Sequence, residues 1–172
     1  MQFNRKTYLI LIVIVLAIFA AVLSFPGVFH PGSKAATPTF TEDDLARQAA
    51  ILGATAFFTI DEQGSQQVWI ENLCRVSTES GCAFHQLGLD KLWKQFEAAH
   101  TSITPTILQA EKVQLAKNST GMQVWKVTIE LSRALPGRSD KQDTAYALVM
   151  AEQGGWKFDR FLLPAEVNGL VE

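Results

Sequence analysis

Residues 125–131, WKVTIEL, alternate strictly between apolar and polar side chains. Successive residues of a β-strand point to opposite faces of the sheet, so this period predicts a strand with one buried face. Trp125, Val127, Ile129 and Leu131 form that face. Further strands are predicted over residues 104–116, with an irregularity near Glu111-Lys112, over residues 144–151 and over residues 156–163.

The connections between these strands are short. Residues 117–121, KNSTG, and the pair Gly154-Gly155 are turn formers, and residues 136–142 read as a polar loop. Four strands joined in this way predict an antiparallel meander. Pro164 is expected to end the last strand, which leaves residues 165–172 as a C-terminal tail.

Helical patterns precede the strands. Thr41 is a good N-cap, and Asp44 is placed three residues later, where it completes a capping box. An apolar face at helical spacing follows, and the helix is expected to end near residues 59–61. Alanine is common on that face, so we expect this helix to pack closely against a sheet. The predicted face comprises Leu45, Ala49, Leu52 and Ala56.

Two shorter helices complete the helical part. Trp69 and Leu73 mark the second, which leads into a loop between two cysteines, and the third runs from Leu89 to near His100. Helices followed by a run of strands define an α+β domain. We therefore expect about three helices on a sheet of about four antiparallel strands.

This order of elements resembles the nuclear-transport-factor-2-like, or cystatin-like, superfamily. The resemblance covers residues 41–164 and rests on the element order and on the last strand, GGWKFDRF at residues 154–161. It implies a curved sheet wrapped around the first helix, which gives a cone with a cavity at its wide end.

An apolar run, YLILIVIVLAIFAAVLSF at residues 8–25, contains no charged side chain. A helix of this length spans roughly 27 Å, close to the hydrocarbon core of a bilayer. Arg5 and Lys6 precede it directly, so the positive-inside rule predicts a single-pass protein of the cell membrane with residues 1–7 in the cytoplasm. Residues 26–40 would be a linker, and residues 41–164 an extracytoplasmic domain. A cleaved secretory signal is the alternative.

Charge is unevenly distributed along the chain. Three of the 15 Lys and Arg lie in the first forty residues, so the remaining 12 stand against all 17 Asp and Glu, which begin at Glu42. The predicted domain is therefore acidic, near −5. A generic nucleic-acid surface requires the opposite sign, so we expect no nucleic-acid partner.

Cys74 and Cys82 enclose seven residues, RVSTESG, that are rich in turn formers. In an oxidising compartment we expect them to form a disulfide, and the alternative is a pair of buried free thiols. Spacings typical of zinc or redox sites are missing from the sequence, so no metal and no cofactor is predicted.

Enzymes of the cone-shaped superfamily place an Asp, His or Tyr inside the cavity, and the resemblance therefore directs attention to Asp61, His85, Tyr146 and Asp159. Each also has an ordinary explanation. Asp61 follows a helix end, His85 lies beside the cysteine loop, Tyr146 lies on an alanine-rich strand, and Asp159 can pair with its neighbours. The sequence spacing of these four residues matches no known catalytic pair, so we do not expect an enzyme.

Two further groups have alternative interpretations. Each of the four tryptophans falls in a different predicted element at an inward position, which favours a core role over a ligand cage. The tryptophans are Trp69, Trp93, Trp125 and Trp156.

The polar loop is either an interaction loop or ordinary solvated chain. Its basic residues are Arg138 and Lys141, and Arg133 lies just before it.

With the predicted anchor included, the whole chain resembles the bitopic scaffold proteins of conjugation and type IV secretion machines, those of Gram-positive conjugation among them. The resemblance implies other envelope proteins as partners, and homo-oligomers. The predicted function is thus a membrane-anchored, non-catalytic assembly module. The alternative is a ligand-binding or weakly enzymatic domain that uses the cone's cavity.

Overall fold

A computed structural model describes residues 40–116 and 120–171 of the chain. The predicted cytoplasmic tail at residues 1–7, the membrane helix at residues 8–25 and nearly all of the linker lie outside these residues. Within the described ranges, no helix has both the length and the apolar character that crossing a membrane requires.

The described residues contain five helices and four strands, which confirms the α+β class and the order of helices before strands. Two of the helices are additional to the predicted three: one lies where the cysteine loop was expected and the other replaces the predicted C-terminal tail. In chain order the elements are α1 (Glu42–Phe58), α2 (Gln66–Val76), α3 (Glu79–Gly88), α4 (Asp90–Ala99), β1 (Pro105–Lys112), β2 (Met122–Leu131), β3 (Gln142–Glu152), β4 (Gly155–Leu162) and α5 (Pro164–Val171).

The four strands form one antiparallel sheet in the order β1-β2-β3-β4, as the meander predicts. The irregularity in β1 lies between Ile107 and Gln109 and not near Glu111-Lys112, where the register is regular. Ile107 and Ala110 both pack in the main core although they are three positions apart, an odd spacing that would place them on opposite faces of a regular strand. An extra residue between them allows both to face inward, which is the usual effect of a β-bulge.

Helix α1 begins with the predicted capping box. The Asp44 backbone N–H donates to Thr41 Oγ1 at 3.2 Å, and the Thr41 backbone N–H donates to Asp44 Oδ2 at 3.0 Å. The predicted apolar face, however, is rotated from the real one, because Leu45 and Leu52 are exposed. The buried face consists of Ala46, Ala49, Ala50, Gly53, Ala54 and Phe58.

Small residues on that face let α1 lie close to the sheet, as its alanine content predicted. Gly53 is in direct contact with the ring of Phe158 on β4. The inner face of the sheet, which includes Trp125, Val127, Ile129 and Leu131, packs against α1 in the main core. The predicted buried face of β2 is therefore confirmed.

The opposite face of the sheet is also partly covered. Val124, Leu148 and Leu162 form a second apolar cluster with Val167 of α5. Pro164 does end β4, but it also starts α5, because proline is well tolerated in the first turn of a helix. The C-terminal segment thus packs on the sheet.

Candidate functional site

Three of the four cavity candidates, Asp61, His85 and Tyr146, lie in three separate places. Asp61 is exposed beyond the end of α1, and Tyr146 packs in the second cluster on the outer face of the sheet. His85 is sealed between α3 and β4, with 1% of its surface exposed. The structure brings His85 close to Asp159 instead.

Asp61 lines a surface cleft of about 220 Å³. Trp93 and Phe96, both buried, lie at its floor, and carboxylates of Glu62 and Glu97 lie along its lining. The Asp61 carboxylate accepts the backbone N–H of Gln63 at 3.0 Å, as expected for a side chain that stabilises a turn. The cleft is small and apolar at its base, so it can accept a side chain or a small organic group.

His85 is packed by aromatic rings. Its imidazole stacks on Phe158 with 5.7 Å between the ring centroids and 7° between the planes, and Phe84 meets it edge-on. Neither ring nitrogen, Nδ1 or Nε2, forms a hydrogen bond of regular geometry with a described residue, although the backbone of Asp159 lies close to the ring. Burial lowers the pKa of His85, whereas the backbone and the carboxylate of the adjacent Asp159 act in the opposite direction.

Asp159 lies at the centre of a polar cluster under the first turn of α3. The hydroxyl of Thr78 donates to Asp159 Oδ1 at 2.5 Å, and that of Ser80 donates to the same oxygen at 2.8 Å. Thr78 is also the N-cap of α3, since its Oγ1 accepts the Gly81 backbone N–H at 2.9 Å. The cluster therefore joins the start of α3 to β4.

The backbone reinforces this junction. The Thr78 backbone N–H donates to the Phe158 carbonyl at 2.7 Å, and Ser77 forms a parallel bridge with Phe158. A Cβ on Gly81 would lie 2.2 Å from the Asp159 carbonyl oxygen, so only glycine permits this approach. Because β4 is at the edge of the sheet, the segment 77–81 covers part of an edge that would otherwise be open.

The predicted disulfide between Cys74 and Cys82 is present. It links the last turn of α2 to the first turn of α3, across the two residues that separate these helices. The stretch predicted as an open loop is therefore mostly helical, because Thr78 caps a helix where turn residues suggested a loop. The crosslink holds the segment that bonds Asp159.

The cluster contains a serine, a histidine and an aspartate, so we compared it with a hydrolytic triad. A triad requires the base to share hydrogen bonds with both the nucleophile and the acid. Here Ser80 bonds Asp159 directly, while neither His85 nitrogen bonds the Ser80 hydroxyl or the Asp159 carboxylate. The geometry corresponds to a helix junction and not to an activated nucleophile.

An exposed apolar surface lies on the other side of this junction. Phe84 and Leu87, one turn apart on α3, are 51% and 87% exposed. The guanidinium of Arg160 lies 5.8 Å from the Phe84 ring centroid and bonds Glu166 at 2.9 Å. Glu166 in turn accepts the backbone N–H of the exposed Leu163. We call Phe84, Leu87, Arg160 and Leu163 the α3–β4 surface.

Sequence reasoning missed Thr78, Ser80 and the α3–β4 surface. The signal for Thr78 was available in Thr78-Glu79-Ser80-Gly81, which has the composition of a helix start. No pattern in the sequence indicates that Phe84 and Leu163 share one surface, since they are joined only through Arg160 and Glu166.

The predicted interaction loop connects β2 and β3. Arg133, Arg138 and Lys141 are all exposed, but Arg138 bonds Asp143, near the start of β3, at 2.9 Å. The Lys141 carbonyl accepts the backbone N–H of Leu131, which extends the strand pairing. The loop is thus stabilised by contacts with the two strands that it connects, and its role in binding stays a prediction.

Three of the four tryptophans are core residues. Trp69, Trp93 and Trp125 are buried, and the indole N–H of Trp69 donates to the Phe57 carbonyl at 3.0 Å. Trp156 is partly buried and packs at the margin of the core. Residues 40–116 and 120–171 contain no group of three or more His, Cys, Asp or Glu placed to hold a metal ion.

The comparisons with known proteins give no relative: no family model, no curated protein and no solved structure matches the chain. The class defined by fold and site is therefore an α+β domain with a four-stranded antiparallel sheet and a disulfide-linked helix pair at its edge. The resemblance to the cone-shaped superfamily stays a prediction.

Proposed function

We propose that the protein is a membrane-anchored, non-catalytic assembly module on the outer face of a cell membrane, and a scaffold component of a conjugative-transfer or secretion machine. Its partners would be other envelope proteins and further copies of itself. The nuclear-transport-factor-2-like resemblance and the apolar run at residues 8–25 form the basis of this proposal.

The observation that carries the proposal is the filled interior of the domain. A cone-shaped enzyme or carrier needs open space between its first helix and its sheet. Here Gly53 of α1 touches the Phe158 ring, and Ala50, Ala54 and Val127 are fully buried in the same core. Close packing of α1 on the sheet at this contact supports a scaffold role over a role that needs an open interior there.

A second observation supports binding to proteins. The α3–β4 surface presents three large apolar side chains and an arginine, and this combination is common at the centre of protein interfaces. A tether of about fourteen residues would keep the domain near its partners, at effective concentrations commonly in the millimolar range for short flexible linkers. Weak contacts through such a surface are then sufficient for assembly.

Removal of the anchor tests this function. The full chain and a version that starts at residue 40 are expressed in the native host, and each is affinity-purified after mild crosslinking. We expect the full chain to recover envelope proteins or further copies of itself, and the anchorless chain to lose them while it stays folded. Equal recovery by both forms, or recovery of no protein neighbour, would overturn the proposal.

The ligand-binding alternative has one observation in its favour, the cleft beside Asp61 with its aromatic floor and acidic lining. Such a site would select small organic cations. Thermal unfolding with choline, arginine and spermidine tests it, with Glu97→Gln as the variant that should weaken the response. A rise in Tm that the substitution removes would favour this alternative.

A further inference from the structure

Helix α3 is attached to the domain by very few buried side chains. Of its ten residues only Gly81 and His85 are buried, while its largest apolar residues, Phe84 and Leu87, face solvent. The N-terminal half is also fixed by the Cys74–Cys82 crosslink. The C-terminal half, residues 83–88, has His85 as its one buried side chain. Elements with few buried contacts open at the lowest free-energy cost.

We propose that residues 83–88, the α3 flap, form a pH-responsive cover over Phe158, which stays closed while His85 is neutral and opens when His85 is protonated. The inference does not require the assembly function, although Phe84 and Leu87 of the α3–β4 surface lie on this flap. It rests on the position of a titratable ring at the flap's only buried contact.

The closed position suits a neutral imidazole and not a charged one. The ring stacks flat on Phe158, and only the Asp159 backbone lies near enough to accept from one ring nitrogen, without regular hydrogen-bond geometry. An imidazolium carries two N–H donors and a net charge, so at least one donor would be buried without a partner, which is costly. When the flap opens, both donors reach water.

The charged groups around His85 offset only part of the cost of burying an imidazolium there. Asp159 on β4 acts on the ring and favours its protonated form, but its carboxylate already accepts two hydroxyl hydrogen bonds. Arg160, the next residue of β4, is a cation. Glu79 in the first turn of α3 and Arg75 in the last turn of α2 are exposed. Burial is the largest of the effects on the pKa, and it lowers that pKa.

The direction of the pH response follows from the lowered pKa of His85 in the closed state. In the open state His85 titrates near the ordinary value of about 6.5, and in the closed state its pKa is lower. Between these two values the open state binds a proton that the closed state does not. The equilibrium constant for opening of the flap therefore increases as pH falls through this window, by at most about tenfold per pH unit.

Hydrogen exchange on the full chain in detergent tests the proposal. Amides of residues 83–88 are compared at pH 7.5 and pH 5.0, after correction for intrinsic rates, with amides of α1 as the internal reference. We expect the flap to lose at least several-fold protection at the lower pH while α1 does not. Equal loss in α1, or no loss in the flap, would overturn the proposal.

Two variants sharpen the test. His85→Phe keeps a planar ring against Phe158 but cannot be protonated, so its flap should stay protected at both pH values. His100→Gln removes an exposed histidine and should behave like the wild type. If His85→Phe does not fold, an NMR titration of the wild-type His85 ring decides the question. A ring pKa at or above about 6.5, or one that does not track flap exchange, would contradict the proposal.

Discussion

Gly53 of α1 lies directly against the ring of Phe158 in β4. A Cβ added to Gly53 would lie 2.1 Å from Cγ of that ring and within 2.6 Å of two more of its side-chain atoms. No real Cβ contact is so short. The same Phe158 stacks on His85 from α3, so one aromatic side chain joins α1, β4 and α3.

Substitution Gly53→Ala should therefore destabilise the domain. The added methyl group must displace a fully buried ring, and overpacking of this kind typically costs about 1–3 kcal/mol. Urea unfolding monitored by tryptophan fluorescence measures the loss. The matched control is Gly169→Ala in α5, where an added Cβ meets nothing within 4 Å and should be neutral or stabilise by about 0.4–1 kcal/mol. Equal effects of the two substitutions would contradict the close packing.

The junction of α3 with Asp159 yields a second prediction. Thr78→Val keeps the side-chain shape but removes both the helix cap and the hydroxyl hydrogen bond to a buried carboxylate. Together these changes should cost about 2–4 kcal/mol. Thr41→Val, at the exposed cap of α1, should cost only about 1 kcal/mol. Chemical denaturation of the two variants compares them directly, and a smaller loss at Thr78 than at Thr41 would be inconsistent with the described cluster.

His100 provides the third prediction. Its φ of 45° and ψ of 55° place it in the left-handed region at the end of α4, where glycine is favoured. Its contact with Glu62, at 3.9 Å, is largely exposed and contributes little. His100→Gly should stabilise the domain by about 0.5–1 kcal/mol, whereas His100→Val should destabilise it. Differential scanning calorimetry measures whether each substitution raises or lowers Tm. A lower Tm for His100→Gly would contradict the left-handed conformation of His100.

The disulfide yields the fourth prediction. Closing a loop of this length should add about 2–3 kcal/mol by the chain-entropy estimate. The double substitution Cys74→Ser/Cys82→Ser should lower the free energy of unfolding by that amount and increase hydrogen exchange in α3 more than in α1. Wild-type protein under reducing conditions provides a second test without substitutions. Unchanged stability in both the double variant and the reduced wild type would show that the crosslink has no structural role.

Much of the fold could be predicted from local sequence patterns. The alternation in WKVTIEL gave the central strand and its buried face, and the Thr41–Asp44 capping box gave the start of α1. Both features depend on residues only a few positions apart. The pairing of Cys74 with Cys82 could be predicted for the same reason.

Other features depend on contacts between distant segments. Leucines at positions 45 and 52 suggested the wrong face of α1, and both are exposed. The face that packs on β4 carries small side chains instead, because the Phe158 ring needs the space. The bulge in β1 follows from which side chains face the core, and the sequence prediction placed the irregularity near Glu111-Lys112 instead. The burial of His85 beside Asp159 joins residues 74 positions apart in sequence, beyond the reach of any spacing rule.

Site-specific photocrosslinking in native membranes tests the assembly account most directly. A photoreactive phenylalanine analogue replaces Phe84 on the α3–β4 surface in the full chain. The control position is Leu108, which is equally exposed on β1 at the other edge of the sheet. The account predicts discrete crosslinks to an envelope protein or a second copy from position 84, and far fewer from position 108. Equal crosslinking from both positions, or none from position 84, would contradict it.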